Sequence, residues 1–214
     1  MRRLVLPGLV VLVAAASSAS FADTTTIRDA RNTRANKFDI RVATAGHRGL
    51  FLYHSIGTYA PWGSRELEST KRQPRAICLY LWRWWSNPKK MQDYQICPEL
   101  DGGKLKAFVY HTHPKRKKTG VAHVRRLGKR SIALWFSKKA IGNPKVYRWQ
   151  VVTGYTGKGC PHQAPFKFGC DDSAPTRNWA VHRLTRTAPG GPSSGPTGPT
   201  GPTRTSGPTG TTGP

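Results

Sequence analysis

From Lys37 onward the chain alternates. Phe38, Ile40 and Val42 are apolar, and Asp39 and Arg41 between them are polar, the period-two signature of a half-buried strand. Residues 45–49 (Ala-Gly-His-Arg-Gly) read as a turn, and 50–58 as a second strand. Residues 59–71 carry Trp62 and the run Arg65-Glu66-Leu67-Glu68, enough for one helical turn. Further apolar stretches at 76–82, 93–97, 104–112, 120–127, 131–137 and 145–153 are bounded by turn residues such as Asp101-Gly102-Gly103. No segment keeps a helical period over several turns. Short strands at close spacing predict an all-β protein, an antiparallel β-sandwich.

The flanks break this pattern. Arg2 and Arg3 precede an apolar run over 4–16, followed by Ser20-Phe21-Ala22. A basic start, a short apolar core and a small-x-small site predict a cleaved secretory signal peptide over 1–22, too short to be a transmembrane anchor. Residues 23–36 are Thr- and Arg-rich and read as a flexible N-terminal arm, leaving 37–187 for the β-sandwich domain. From 188 to 214 the chain is nearly all Gly, Pro, Thr and Ser. A tail with no apolar residue able to drive folding is expected to be disordered. Gly195, Gly198 and Gly201 open three Gly-Pro-Thr triplets, but Arg204 stands where the next glycine would fall, so a collagen helix is not expected. Glycosylation of this tail is left open.

Four cysteines, Cys78, Cys97, Cys160 and Cys170, in an exported chain favour two disulfides over free thiols. No C-x-x-C pair suggests zinc. If Cys78 faces Cys97, Leu79 falls opposite Ile96 and Leu81 opposite Tyr94, so the apolar residues share one face. One register satisfies both the bridge and the burial pattern. Cys160–Cys170 then closes the loop that follows the last long strand.

Charge changes the picture of function. The chain carries 35 Lys and Arg against 10 Asp and Glu, a formal +25; loss of Arg2 and Arg3 with the leader would leave +23. Such a chain attracts polyanions. Lys115, Arg116, Lys117 and Lys118 cluster on one hairpin turn, with Arg125, Arg126, Lys129 and Arg130 close after it in sequence and Arg125 and Arg126 expected toward the far end of the hairpin. That placement predicts a positive field spread along the domain. Trp84 and Trp85 follow the third strand. They either pack beneath their loop or form a flat platform for sugar rings or bases. Trp135, Trp149, Tyr147 and Phe136 are expected in the core. His111 and His113 lie two apart, a spacing that can bind metal with a third ligand such as His123, or serve acid–base chemistry. Opposed carboxylates, a nucleophile elbow and a phosphate loop are all missing. No catalytic residue, cofactor or metal is therefore assigned.

Several motifs in order, F-D-I-R-V, H-S-I-G-T-Y, W-G-S, D-G-G-K-L-K-A-F-V-Y, A-H-V-R-R-L-G-K-R-S-I-A-L-W-F, Y-R-W-Q-V-V-T and D-S-A-P-T, resemble an uncharacterised secreted β-sandwich domain of Gram-positive bacteria. The resemblance implies a fold similar to DOMON-like and carbohydrate-binding sandwiches, with no catalytic residues. In such domains the loop after the third strand is often acidic and similar to a calcium loop; here Lys89 and Lys90 stand in it, which argues against calcium. The expected protein is a secreted, non-enzymatic binder of anionic or carbohydrate polymers at the cell envelope, through Trp84, Trp85 and the four turn cations. Nucleic acid would bind only non-specifically. The alternatives are a small basic nuclease using His111 and His113, and a structural envelope protein without a discrete ligand.

Overall fold

The computed structural model describes residues 22–31, 36–70, 72–87, 91–162 and 167–185. The expected leader up to Phe21 and the expected tail lie outside them. The strands are β1 (Ala22–Arg28), β2 (Ile40–Arg48), β3 (Phe51–Thr58), β4 (Ala76–Arg83), β5 (Tyr94–Ile96), β6 (Glu99–Asp101), β7 (Lys104–His111), β8 (Lys117–Gly128), β9 (Ser131–Ser137), β10 (Val146–Tyr155), β11 (Cys170–Ala174) and β12 (Ala180–Arg183). Short 3-10 turns at Ser64–Leu67 and Lys138–Ile141 supply the helical content of the described residues. Every strand pair is antiparallel, and the ladder runs β1-β2-β3-β9-β8-β7-β5-β4-β10-β11. β12 also pairs with β10, and β6 with β7. The all-β antiparallel class is the one the alternation predicts.

The sheet curls around one core. β3 and β10 are six ladder steps apart, about 29 Å in a flat sheet at ~4.8 Å per step. Yet His54 on β3 and Tyr147 on β10 share a hydrogen bond of 3.0 Å. Leu52 and Ile56 of β3, Leu79 and Leu81 of β4, Ile132, Leu134 and Phe136 of β9, and Tyr147, Trp149 and Val151 of β10 all meet in that interior. Beneath β2, Phe38 packs edge-on against Trp62 at 5.3 Å and Tyr155 at 5.6 Å.

Where the sheet's two ends approach, side chains replace the ladder. The buried Asp172 of β11 accepts the Ile40 N–H at 2.7 Å, and Thr153 Oγ1 donates to the Phe38 carbonyl at 3.0 Å. On β12, His182 Nδ1 lies 3.1 Å from Thr25 Oγ1 of β1. Residues 22–28, most of them expected within a flexible arm, therefore form an edge strand with partners on both sides. Their Thr-rich sequence hid it, because an edge strand exposed along most of its length needs little apolar alternation.

A second correction concerns phase. Phe38 and Ile40 face inward as expected, but the β2–β3 register shifts between Ile40 and Val42. The bulge turns Val42 outward, and Ala43, Ala45 and His47 take the inner face. The β4–β5 hairpin has the anticipated register, with Leu79 opposite Ile96 and Leu81 opposite Tyr94. Disulfides join Cys78 to Cys97 and Cys160 to Cys170, a pairing that fits an oxidising compartment. No helix among the described residues is long and apolar enough to cross a membrane.

Candidate functional site

Antiparallel order decides which loops share an end of the sheet. β4 and β7 run in the same direction on either side of β5. Trp84 and Trp85 after β4 therefore emerge at the same end as Lys115 and Arg116 after β7, two ladder steps away. Asp93 ties the two loops together: its carboxylate accepts the Arg83 N–H at 2.7 Å, and its carbonyl accepts the Thr112 N–H at 2.9 Å. By the same alternation this end collects the β2–β3 turn with Leu50, residues 138–145 between β9 and β10, and Arg183 to Thr185 after β12.

Trp85 is 72% exposed and Trp84 43%, so neither packs beneath its loop. Each carries a guanidinium. Arg83 lies 5.4 Å from the Trp85 ring centre; Arg148 lies 4.6 Å and Arg183 5.8 Å from that of Trp84. Arg148 also approaches Trp179 at 5.6 Å and donates to the Ser86 carbonyl at 2.9 Å. A guanidinium held over an indole keeps part of its donor fork free for an oxyanion. Arg148, Arg183 and Trp179 were missed in the sequence because β10 and β12 reach this corner only through strand order.

The four turn cations divide into two kinds. Arg116 folds back over the Tyr110 ring at 3.9 Å, and Lys118 over Phe108 at 3.6 Å. Lys115 and Lys117 have no such ring partner, and all four cations are exposed. Near Arg116 a groove of about 260 Å³ runs along the outer sheet face past Phe108, Tyr110, Cys97 and Arg75.

Carboxylates are segregated. Of the ten Asp and Glu, only Asp23 and Asp93 lie at this end. Asp93 is paired with Arg83 at 3.3 Å. Asp23 accepts hydrogen bonds from the Thr185 hydroxyl and N–H, which lower its pKa. The other eight stand toward the opposite end, where Glu66 binds Lys37 and Arg75, and Asp101 binds Lys106. Cations stand at both ends of the sheet; what differs is that few carboxylates offset them at this end. Arg125 and Arg126 do lie away from the turn, and Arg126 is committed to structure: its guanidinium covers Trp62 at 3.3 Å and donates to that residue's carbonyl at 2.7 Å.

A cavity of about 540 Å³ opens at the cationic end, lined by His47, Leu50, Lys138, Asn143, Lys145 and Leu184 among others. Behind it lie buried histidines that the sequence did not single out. His47 and His182 meet edge-on at 5.7 Å, and Tyr147 lies between His182 and His54, with ring centres 5.5 and 5.9 Å away. Burial lowers the His54 pKa to about 3 and that of His182 to about 4, with His47 adding repulsion to the latter.

The histidines weighed for catalysis are arranged otherwise. β7 ends at His111, which is half-buried against Tyr94 at 5.0 Å; His113 is exposed in the turn. His123 points to the outer face and stacks on Trp135 at 5.7 Å. Trp135 is thus half-buried on that face, not in the core with Trp149, Tyr147 and Phe136. Among the described residues no group of three His, Cys, Asp or Glu is placed to hold a metal. Comparison of the chain with family models, characterised proteins and solved structures finds no match, and nothing positive indicates catalysis.

Proposed function

We propose that this is a secreted, non-enzymatic binding protein that attaches to anionic polymers of the cell envelope through its cationic end. One observation carries the reading: the cations at this end of the sheet share it with two carboxylates, both already engaged, and the exposed indoles there bear guanidinium groups. Opposed charge in excess binds polyanions, and indole-stacked arginines add donors for sulfate, phosphate or carboxylate. A neutral sugar would have to displace those guanidinium groups to stack on the same ring faces, so the anionic polymer is favoured over the neutral glycan. The disulfides and the signal-like leader support export. The resemblance to secreted Gram-positive β-sandwich domains is part of the same proposal.

The test is titration with teichoic acid and with a neutral wall glycan at low and high salt. Changing Lys115, Arg116, Lys117 and Lys118 to Ser should weaken teichoic acid binding and flatten its salt dependence. Unchanged binding would remove the turn from the site. Salt-resistant binding to the neutral glycan, lost in Trp84→Ala, would reassign the protein as a carbohydrate-binding module.

A further inference from the structure

Seven large apolar side chains are exposed among the described residues: Leu50, Phe51, Trp84, Trp85, Met91, Val121 and Leu127. The first five lie in or directly beside two loops, β2–β3 and β4–β5, that project at the cationic end. Leu50 is 53% and Phe51 49% exposed, at the tip of a hairpin whose turn begins with Arg48 and Gly49. Gly49 takes the left-handed conformation, with φ of 57°, so the turn is tight and the pair stands out from the sheet. Behind them Tyr53 and Trp135 lie opposite one another on β3 and β9 and continue the apolar surface down the outer face.

Between the two loops the surface is cationic. Arg183 stands beside Trp84. Its neighbour Leu184 lines the same cavity as Leu50, together with Lys138 and Lys145. Two apolar prongs with lysine and arginine between them match the layering of an anionic bilayer. Apolar tips enter the acyl boundary, cations meet the headgroup phosphates, and indoles sit at the interface between. A soluble polymer chain gives Leu50 and Phe51 nothing to bury against, whereas exposed paired apolar residues amid so much charge call for an apolar partner.

We propose that the protein docks end-on onto an anionic lipid surface, inserting the β2–β3 tip at Leu50 and Phe51 and resting Trp84 and Trp85 in the headgroup layer. This deepens the envelope-binding reading, on which it rests for the role of the cations, by assigning the same end a lipid partner.

The experiment is co-sedimentation with vesicles of equal parts phosphatidylglycerol and phosphatidylcholine, against vesicles of phosphatidylcholine alone, with dextran sulfate as a soluble polyanion. The native protein should bind the anionic vesicles and leave the neutral ones. Its tryptophan emission should shift to the blue and be quenched by brominated lipid. The double variant L50S/F51S should partition about tenfold more weakly, the scale expected for losing two half-exposed apolar side chains from an interface. Its dextran sulfate affinity and melting temperature should stay those of the parent. Vesicle binding unchanged in L50S/F51S would overturn the proposal. So would dextran sulfate binding with no vesicle binding, an outcome that leaves the polymer reading standing. The single variant F51W reports directly: quenching by brominated lipid beyond that of the parent supports insertion of the tip, and none refutes it. Loss of binding to both probes on raising salt, with no blue shift at any salt, would mark the contact as charge alone and also refute insertion.

Discussion

His54 is the residue whose setting has the clearest consequence. It is fully buried, hydrogen-bonded through Nε2 to Tyr147, packed edge-on to Trp149 at 5.2 Å and stacked on Phe136 at 6.2 Å. No carboxylate adjoins it to favour the imidazolium, and burial followed by repulsion from His182 lowers its pKa. The unfolded chain, with histidines near 6.5, binds protons that the folded one refuses. Stability is therefore full above 6.5 and falls as pH drops toward 4, where His182 accepts a proton, and on toward 3 for His54. Each histidine steepens the fall by about 1.4 kcal/mol per pH unit in that window. Asp23, which faces His47 and His182, opposes the shift only in part. Urea denaturation at a series of pH values measures this. His54→Phe should cost about 1–3 kcal/mol at neutral pH, because Tyr147 loses its partner, yet its deficit should shrink as the solution is acidified. Parallel pH profiles for parent and variant would show that His54 is not a source of the acid sensitivity.

At the scale of elements, close contacts between strand and turn decide what each position tolerates. The 3-10 turn Lys138–Ile141 lies over β8, where a Cβ on Gly120 would meet the Ala140 Cβ at 2.7 Å. Gly120→Val should destabilise by about 1–3 kcal/mol through overpacking, read as a lower melting temperature; a variant melting with the parent would show that the turn can lift at no cost. The long strands were legible because each buries one face, and the β4–β5 register because two cysteines and four apolar residues demanded it together. β1, β11 and β12 were not, for a physical reason. They are edges paired by backbone ladders on one side and tied across the other by side-chain hydrogen bonds such as Thr25 to His182 and Asp172 to Ile40, and such contacts leave no periodic trace. The β2 bulge hid the true facing of Val42 in the same way. Of the site, Trp84, Trp85 and the turn cations could be named from local sequence. Their joining with Arg148, Arg183 and Lys145 could not, since it depends on the order of strands far apart in the chain.

For the whole molecule the decisive property is the segregation of its carboxylates along the strand direction. A net +25 spread evenly would steer any polyanion to any face, and removing four cations anywhere would weaken binding alike. Here eight of the ten carboxylates stand toward one end and screen the cations among them, as Glu66 does for Lys37 and Arg75. Screening beyond a Debye length, about 8 Å at physiological salt, leaves a ligand sensing mainly the cations within reach. Two quadruple variants separate these pictures at equal net charge. One replaces Lys138, Lys139, Lys145 and Arg183 with Ser at the cationic end; the other replaces Lys104, Lys129, Arg130 and Lys158, which lie toward the opposite end. Both lose four charges. The first should bind dextran sulfate at least about tenfold more weakly and with a shallower salt dependence, as expected for losing several phosphate-like contacts. The second should shift binding only slightly, and mainly at low salt where the Debye length is long. Equal weakening of the two variants would mean that net charge governs binding and that the segregation of carboxylates has no role in it.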